Sequence, residues 1–183
     1  MLVSYLHLDL IFFTQFFNAY LIEKFKVTPS EIGDIFAYLG LSIAIVQGGL
    51  LPFLVKKLKN FQILKFSIVS LSVALLLLLL APSKEWLFLF LPIVAIFQGL
   101  TQPNILSLIS MQGKDNSQGD ILGGNQSINS LAMSIPPIIS GFIFSISIYL
   151  PIVVAALVTF VAFLIYTLTI KGTFKVTKQF EEE

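Results

Sequence analysis

The sequence has no cysteine and no arginine, and His7 is its single histidine. Without cysteine there can be no disulfide, no thiolate metal ligand and no cysteine nucleophile. With one histidine there is no zinc-binding His-Glu pattern and no serine–histidine catalytic set. We therefore expect no metal, no cofactor and no enzymatic activity.

Charge is also scarce. Only 11% of the 183 residues are charged, against roughly 25% in soluble domains. The hydrophobic share is 56%, and the mean hydropathy is +0.92. A net charge of +1 argues against a nucleic-acid partner. The composition predicts an all-α membrane protein whose surroundings are membrane lipid.

Six segments are long and apolar enough to cross a membrane, which takes about 20 residues of helix. We predict one six-helix transmembrane domain over residues 1–171, followed by a cytoplasmic tail over 172–183. The predicted helices cover residues 2–22, 31–55, 61–80, 86–110, 120–148 and 149–170.

Lysines set the predicted orientation, because cytoplasmic loops are enriched in basic residues. With the N-terminus inside, eight lysines lie in the cytoplasm and three outside. The basic loop formed by Lys56, Lys57 and Lys59 is most simply a topology determinant. We predict a multi-pass protein of the bacterial cytoplasmic membrane with both termini cytoplasmic. Because Met1 leads almost directly into the first helix, we also expect a chain that begins partway through a longer architecture.

Polar residues concentrate in predicted helices one and four, and helix five adds further amide side chains. Such groups are costly in hydrocarbon unless they face a bundle interior or a water-filled cavity. The amides could bind a polar substrate or hydrogen-bond neighbouring helices, and the carboxylate could couple protons or lie near the interface. The candidate substrate-cavity residues are Asp9, Gln15, Asn18, Gln98, Gln102, Gln126 and Asn129.

Small residues spaced four apart mark helices two and five, where they allow close approach of helix backbones. Helices three and six carry neither feature and are expected to face lipid. The order polar, close-packing and bland thus occurs twice, which predicts two inverted three-helix repeats. The candidate packing and gating residues are Gly40, Gly48, Gly49, Gly123, Pro136, Pro137 and Gly141.

Two stretches resemble a known family. One runs from Gln47 to Leu58, out of helix two and into the basic loop. The other comprises Gln102-Pro103-Asn104, Gln118-Gly119, Gly123, Gln126-Ser127, Pro137 and Gly141. Together they resemble helices seven to twelve, the C-terminal half of major facilitator superfamily transporters, of the drug–proton antiporter type that includes tetracycline exporters.

The resemblance implies half of a major facilitator fold and secondary active transport of a small molecule, such as drug efflux, by alternating access. It also implies a second six-helix half as partner, supplied by a missing segment, a separate chain or a homodimer. The alternative hypothesis is a stand-alone six-helix substrate-binding subunit of an energy-coupling-factor-type importer. Against that alternative, helix one lacks the spaced alanines with which such subunits dock their partner.

Overall fold

The computed structural model describes residues 8–110 and 118–181, and these ranges contain helices and no strand. The six helices are α1 (Leu8–Phe25), α2 (Pro29–Val55), α3 (Asn60–Leu79), α4 (Lys84–Ser110), α5 (Gln118–Ile146) and α6 (Leu150–Glu181). Within α2, the stretch Val46–Leu50 is π-helical.

Four of these helices are long and apolar enough to cross a membrane: Pro29–Val55, Asn60–Leu79, Lys84–Leu108 and Leu150–Leu168. The described part of α1 is 18 residues long and contains Asp9, Glu23 and Lys24, and α5 is rich in polar residues. Helix α6 continues to Glu181, beyond the predicted end at residue 170, although its apolar stretch ends at Leu168.

The start of α2 is fixed by a capping box. The Thr28 hydroxyl accepts a hydrogen bond from Glu31 N at 3.4 Å, and the Glu31 carboxylate accepts one from Thr28 N at 2.7 Å. Pro29 occupies the first helical position, where its missing N–H costs nothing. The helix therefore begins two residues before the predicted boundary.

Helix α3 lies at the centre of the bundle, between α4 and α6. Half of its membrane-spanning stretch is buried, so the expectation that helix three faces lipid holds for only one of its sides. On the buried side, Ser67 Oγ lies 3.0 Å from Thr101 Oγ1, and Ser72 Oγ donates to Ala156 O at 2.8 Å. Phe66 and Val73 remain exposed on the other side.

One end of the bundle gathers the loops α1–α2, α3–α4 and α5–α6. The Lys24 ammonium donates to Leu79 O at 3.1 Å and lies 5.2 Å from the centre of the Tyr149 ring. At the same end, the Lys84 ammonium pairs with the Glu31 carboxylate at 2.5 Å. These contacts are those that an up-and-down arrangement of the helices requires.

The opposite end joins the start of α3 to the end of α4 and to α6 near Leu168, where the apolar stretch of α6 ends. Asn60 Nδ2 donates to Ser107 Oγ at 2.9 Å, and the Tyr166 hydroxyl donates to Phe61 O at 3.5 Å. Successive helices therefore alternate in direction.

Of the glycines that the structure describes, Gly99 of α4 lies closest to a neighbouring helix. A Cβ added to Gly99 would lie 3.1 Å from Val46 Cγ1 and 3.5 Å from Ile43 O, both in α2. By contrast, a Cβ added at Gly40, Gly48, Gly49 or Gly123 would meet nothing within 4 Å. Within the described chain, the close contact is thus made by a glycine outside the predicted packing set.

This difference predicts the effect of two matched substitutions. Gly99→Val should lower the free energy of unfolding by about 1–3 kcal/mol, because the added side chain overpacks against Val46. Gly40→Val adds the same atoms to an open helix surface and should change it by less than about 0.5 kcal/mol. Unfolding of the detergent-solubilised protein measures both values, and equal losses would contradict the assigned contact.

Candidate functional site

Gln98 lies in the middle of α4 with a buried side chain whose relative exposure is 8%. Its Oε1 atom is shielded and has no hydrogen-bond partner among the described residues. An unsatisfied carbonyl oxygen in an apolar environment costs about 1–3 kcal/mol. The described residues therefore leave this buried oxygen without a donor.

The other buried polar groups of α4 are satisfied. Thr101 Oγ1 is 2.7 Å from Phe97 O, and Asn104 Nδ2 donates to Leu100 O at 2.6 Å. Each of these bonds is made to a carbonyl one turn earlier in the same helix, which keeps a polar group compatible with a membrane interior. Gln98 departs from this pattern on the same helix.

Three other candidate cavity residues are exposed on the described surface: Asn18 of α1, Gln102 of α4 and Gln126 of α5. Gln102 lies one turn after Gln98. Their exposure places these amides outside the packed contacts between the helices of this chain. Asp9, Gln15 and Asn129 belong to helices α1 and α5, but their side chains lie outside the described part of the structure.

Helix α2 is the least covered of the four apolar helices, with 11% of its spanning stretch buried against 39–50% in the other three. Gly40, Ala44 and Gly48 form an exposed stripe of small residues along it. We call this stripe the α2 small-residue face. It presents a smooth apolar surface that no described residue covers at its glycines.

Helix α5 is similarly smooth near its start. Gly123 is exposed, and the exposed hydroxyls of Ser127 and Ser130 donate to Gly123 O and Gln126 O, each at 3.0 Å. Each hydroxyl is thus satisfied by its own helix. The helix continues through Pro136, Pro137 and Gly141, whose side-chain surroundings lie outside the described residues.

The π-helical segment of α2 was not predicted from the sequence. Leu51 N donates to Val46 O, a bond that spans five residues. Pro52 follows at once, and it has no N–H with which to bond the carbonyl four residues earlier. A proline after two glycines was the available signal, and π-turns inside helices often mark functional sites.

The basic loop after α2 is solvent-facing. Lys56, Lys57 and Lys59 are exposed, and the Lys57 ammonium lies 4.3 Å from the centre of the Phe53 ring. None of the three is in an ion pair with a described carboxylate. These contacts are compatible with a role in setting topology.

The opposite end carries a small open cavity of about 130 Å³. It is lined by Val27, Glu31, Asp34, Ile35, Lys84, Glu85 and Phe88. Lys84 is held by Glu31, which leaves an excess of negative charge around the opening. The neighbouring Lys24 also donates to the Tyr20 hydroxyl at 2.8 Å, and burial lowers the pKa of its ammonium.

No three carboxylate or imidazole groups within the described ranges are grouped so that they could hold a metal ion. What the structure does assemble is an apolar helical bundle in which one membrane-spanning helix carries an amide oxygen without a partner among the described residues. These features define an integral membrane protein with polar positions within and on its helical bundle.

The sequence matches the Major Facilitator Superfamily over residues 2–183, and the chain belongs to that superfamily. No match was found among curated proteins. Membership assigns the chain to the transport of small molecules across a membrane. It supports the transporter hypothesis over the importer-subunit alternative, and the all-helical fold agrees with half of a major facilitator fold.

The unsatisfied oxygen of Gln98 predicts a stabilising substitution. Gln98→Leu replaces the amide with an apolar group of similar size and should raise the free energy of unfolding by about 1–3 kcal/mol. Gln102→Leu, one turn away at an exposed position, should have little effect. Unfolding in one detergent measures both variants, and destabilisation by Gln98→Leu would show that the amide has a partner in the folded chain.

Proposed function

We propose that the chain is the C-terminal half of a secondary active transporter that works by alternating access. In this proposal α1, α4 and α5 form one wall of a substrate cavity, and a second six-helix half forms the other. The observation that carries the proposal is the Gln98 side chain, which is buried and whose oxygen finds no donor among the described residues. A substrate N–H or O–H would supply that donor in a conformation that uncovers the oxygen.

The second half has a surface on which to dock. The α2 small-residue face is exposed at Gly40, Ala44 and Gly48, and the start of α5 exposes Gly123 and Ser127. Small residues spaced four apart allow helix backbones to approach closely in a membrane, where packing drives association. The second half would come from another segment of a longer protein, a separate chain or a second copy.

The close contact between α2 and α4 links docking to the cavity. Gly99 packs against Val46, the first residue of the π-helical segment, and Gly99 is next to Gln98 in the chain. A small shift of α2 against the second half would therefore move the backbone that carries Gln98. Transporters of this general kind operate by rocking such helix groups around a central site.

We further propose drug efflux in exchange for protons, which rests on the antiporter-like stretches around Gln47–Leu58 and Gln102–Asn104. Asp9 is the candidate coupling carboxylate, because an acidic residue in a membrane helix is a functional-site hypothesis by default. The second half would supply any further coupling groups.

Cysteine labelling tests the cavity. In the assembled protein, Gln102→Cys and Gln126→Cys should react with a membrane-impermeant maleimide, because water in the cavity lets the thiol ionise. Leu77→Cys and Val158→Cys, at half-buried apolar positions of α3 and α6, should remain protected. If all four cysteines were protected from the maleimide, the proposal of an aqueous cavity would be wrong.

Bulk added to the α2 small-residue face tests the second half. Gly40→Trp should reduce cross-linking of the protein to its other half in native membranes by at least about tenfold, since the surfaces could no longer approach. Val73→Trp, on the exposed side of α3, should leave the yield unchanged. The measurement is the mass and yield of the cross-linked product, and equal yields for the two variants would place the interface elsewhere.

A further inference from the structure

An apolar groove lies between α3 and α6, near the end of the bundle that carries the basic loop. Its volume is about 420 Å³. It is lined by Phe61, Gln62, Lys65, Phe66, Val69 and Phe163. We call it the α3–α6 groove. Its lining combines three phenylalanines with a single charged side chain.

Lys65 is the unusual member of this lining. It lies five residues into α3, about 7.5 Å along the helix axis from Asn60. Its side chain is exposed and forms no ion pair with any described carboxylate. On a helix surface that faces lipid, such an ammonium is costly unless it reaches a polar group at the interface.

The direction of the helix allows that reach. Side chains of a helix lean toward its N-terminus, and for Lys65 this is the end where α3 emerges from the membrane. The long alkyl stem can then lie along the groove while the ammonium reaches the headgroup layer. Lipid phosphates occupy that layer, so the Lys65 ammonium can lie next to a negatively charged phosphate.

The rest of the groove suits an acyl chain. Phe61, Lys65 and Val69 follow one another at intervals of four along α3, which spans about 12 Å. Phe66, with 63% exposure, and Phe163 of α6 widen the apolar lining on either side. Among the residues that the structure describes, no carboxylate lines the groove.

We propose that the α3–α6 groove binds one anionic phospholipid, with its phosphate on the Lys65 ammonium and an acyl chain against Phe61, Phe66 and Phe163. The positive charge matches an anionic headgroup, and the apolar lining matches the tail. Lys56, Lys57 and Lys59 lie at the same end and attract anionic lipid to this part of the membrane surface in general. Lys65 gives the attraction a defined site.

Tryptophan fluorescence tests the proposal without a transport assay. Trp86, the single tryptophan, lies at the opposite end of the bundle and is changed to phenylalanine. Phe163→Trp then reports on the groove. In mixed vesicles, brominated phosphatidylglycerol should quench this tryptophan at about fivefold lower mole fraction than brominated phosphatidylcholine, the preference that one lysine near an anionic headgroup provides.

Two lysine variants separate the site from general surface charge. Lys65→Gln should bring the two lipids to equal quenching, whereas Lys57→Gln, whose side chain lies on Phe53, should keep most of the preference. Equal quenching before any lysine is changed, or equal losses in both variants, would overturn the proposal. Phe66→Trp repeats the measurement from the α3 side of the groove if Phe163→Trp does not fold.

Discussion

The structure depends on one constraint: a polar group inside an apolar bundle needs a hydrogen-bond partner within the chain. Some buried hydroxyls meet it with a carbonyl of their own helix, as Thr159 does with Ala155 O at 2.8 Å. Others bond across helices, and the Ser72 bond to Ala156 O joins α3 to α6. These bonds lie on the buried side of α3, and so they help to determine which side of that helix is covered. Gln98 is the exception that makes α4 a candidate for binding a substrate.

The sequence could predict those features that depend on local patterns of residues. The helical segments follow from runs of apolar residues, and most observed boundaries lie within about two residues of the predicted ones. The cap at Thr28 follows from a local pattern of residue types. Of the candidate amides, Gln98 could be chosen from the sequence as a polar group in an apolar helix. That it is buried while Gln102 is exposed could not, because this depends on how the neighbouring helices pack around α4.

Identical side chains hide packing information. Residues 75–80, at the end of α3, are six consecutive leucines; Leu75 and Leu78 are buried, whereas Leu76 and Leu80 are exposed. Because the six residues are identical, the sequence does not show which of them face the interior of the bundle. Glycines mislead in a related way, since the regular spacing of Gly40 and Gly48 predicted close packing, while the close contact within the chain is made by the isolated Gly99. Contact between helices requires a complementary partner, and for α2 much of that partner is absent from the described chain.

The π-helical segment has a consequence for the far end of α2. A helix turns about 100° per residue, so one extra residue in a turn rotates all that follows relative to an uninterrupted helix. The direction in which Leu51–Val55 presents its side chains, and in which the chain enters the basic loop, is therefore set by Val46–Leu50. Deleting one residue there, so that the turn closes as an ordinary α-helical turn, would keep the direction of the last part, whereas deleting one residue from an α-helical turn of α2 would rotate that part by about 100°. In this segment, the count of residues determines the direction of the end of α2 as much as their identity does.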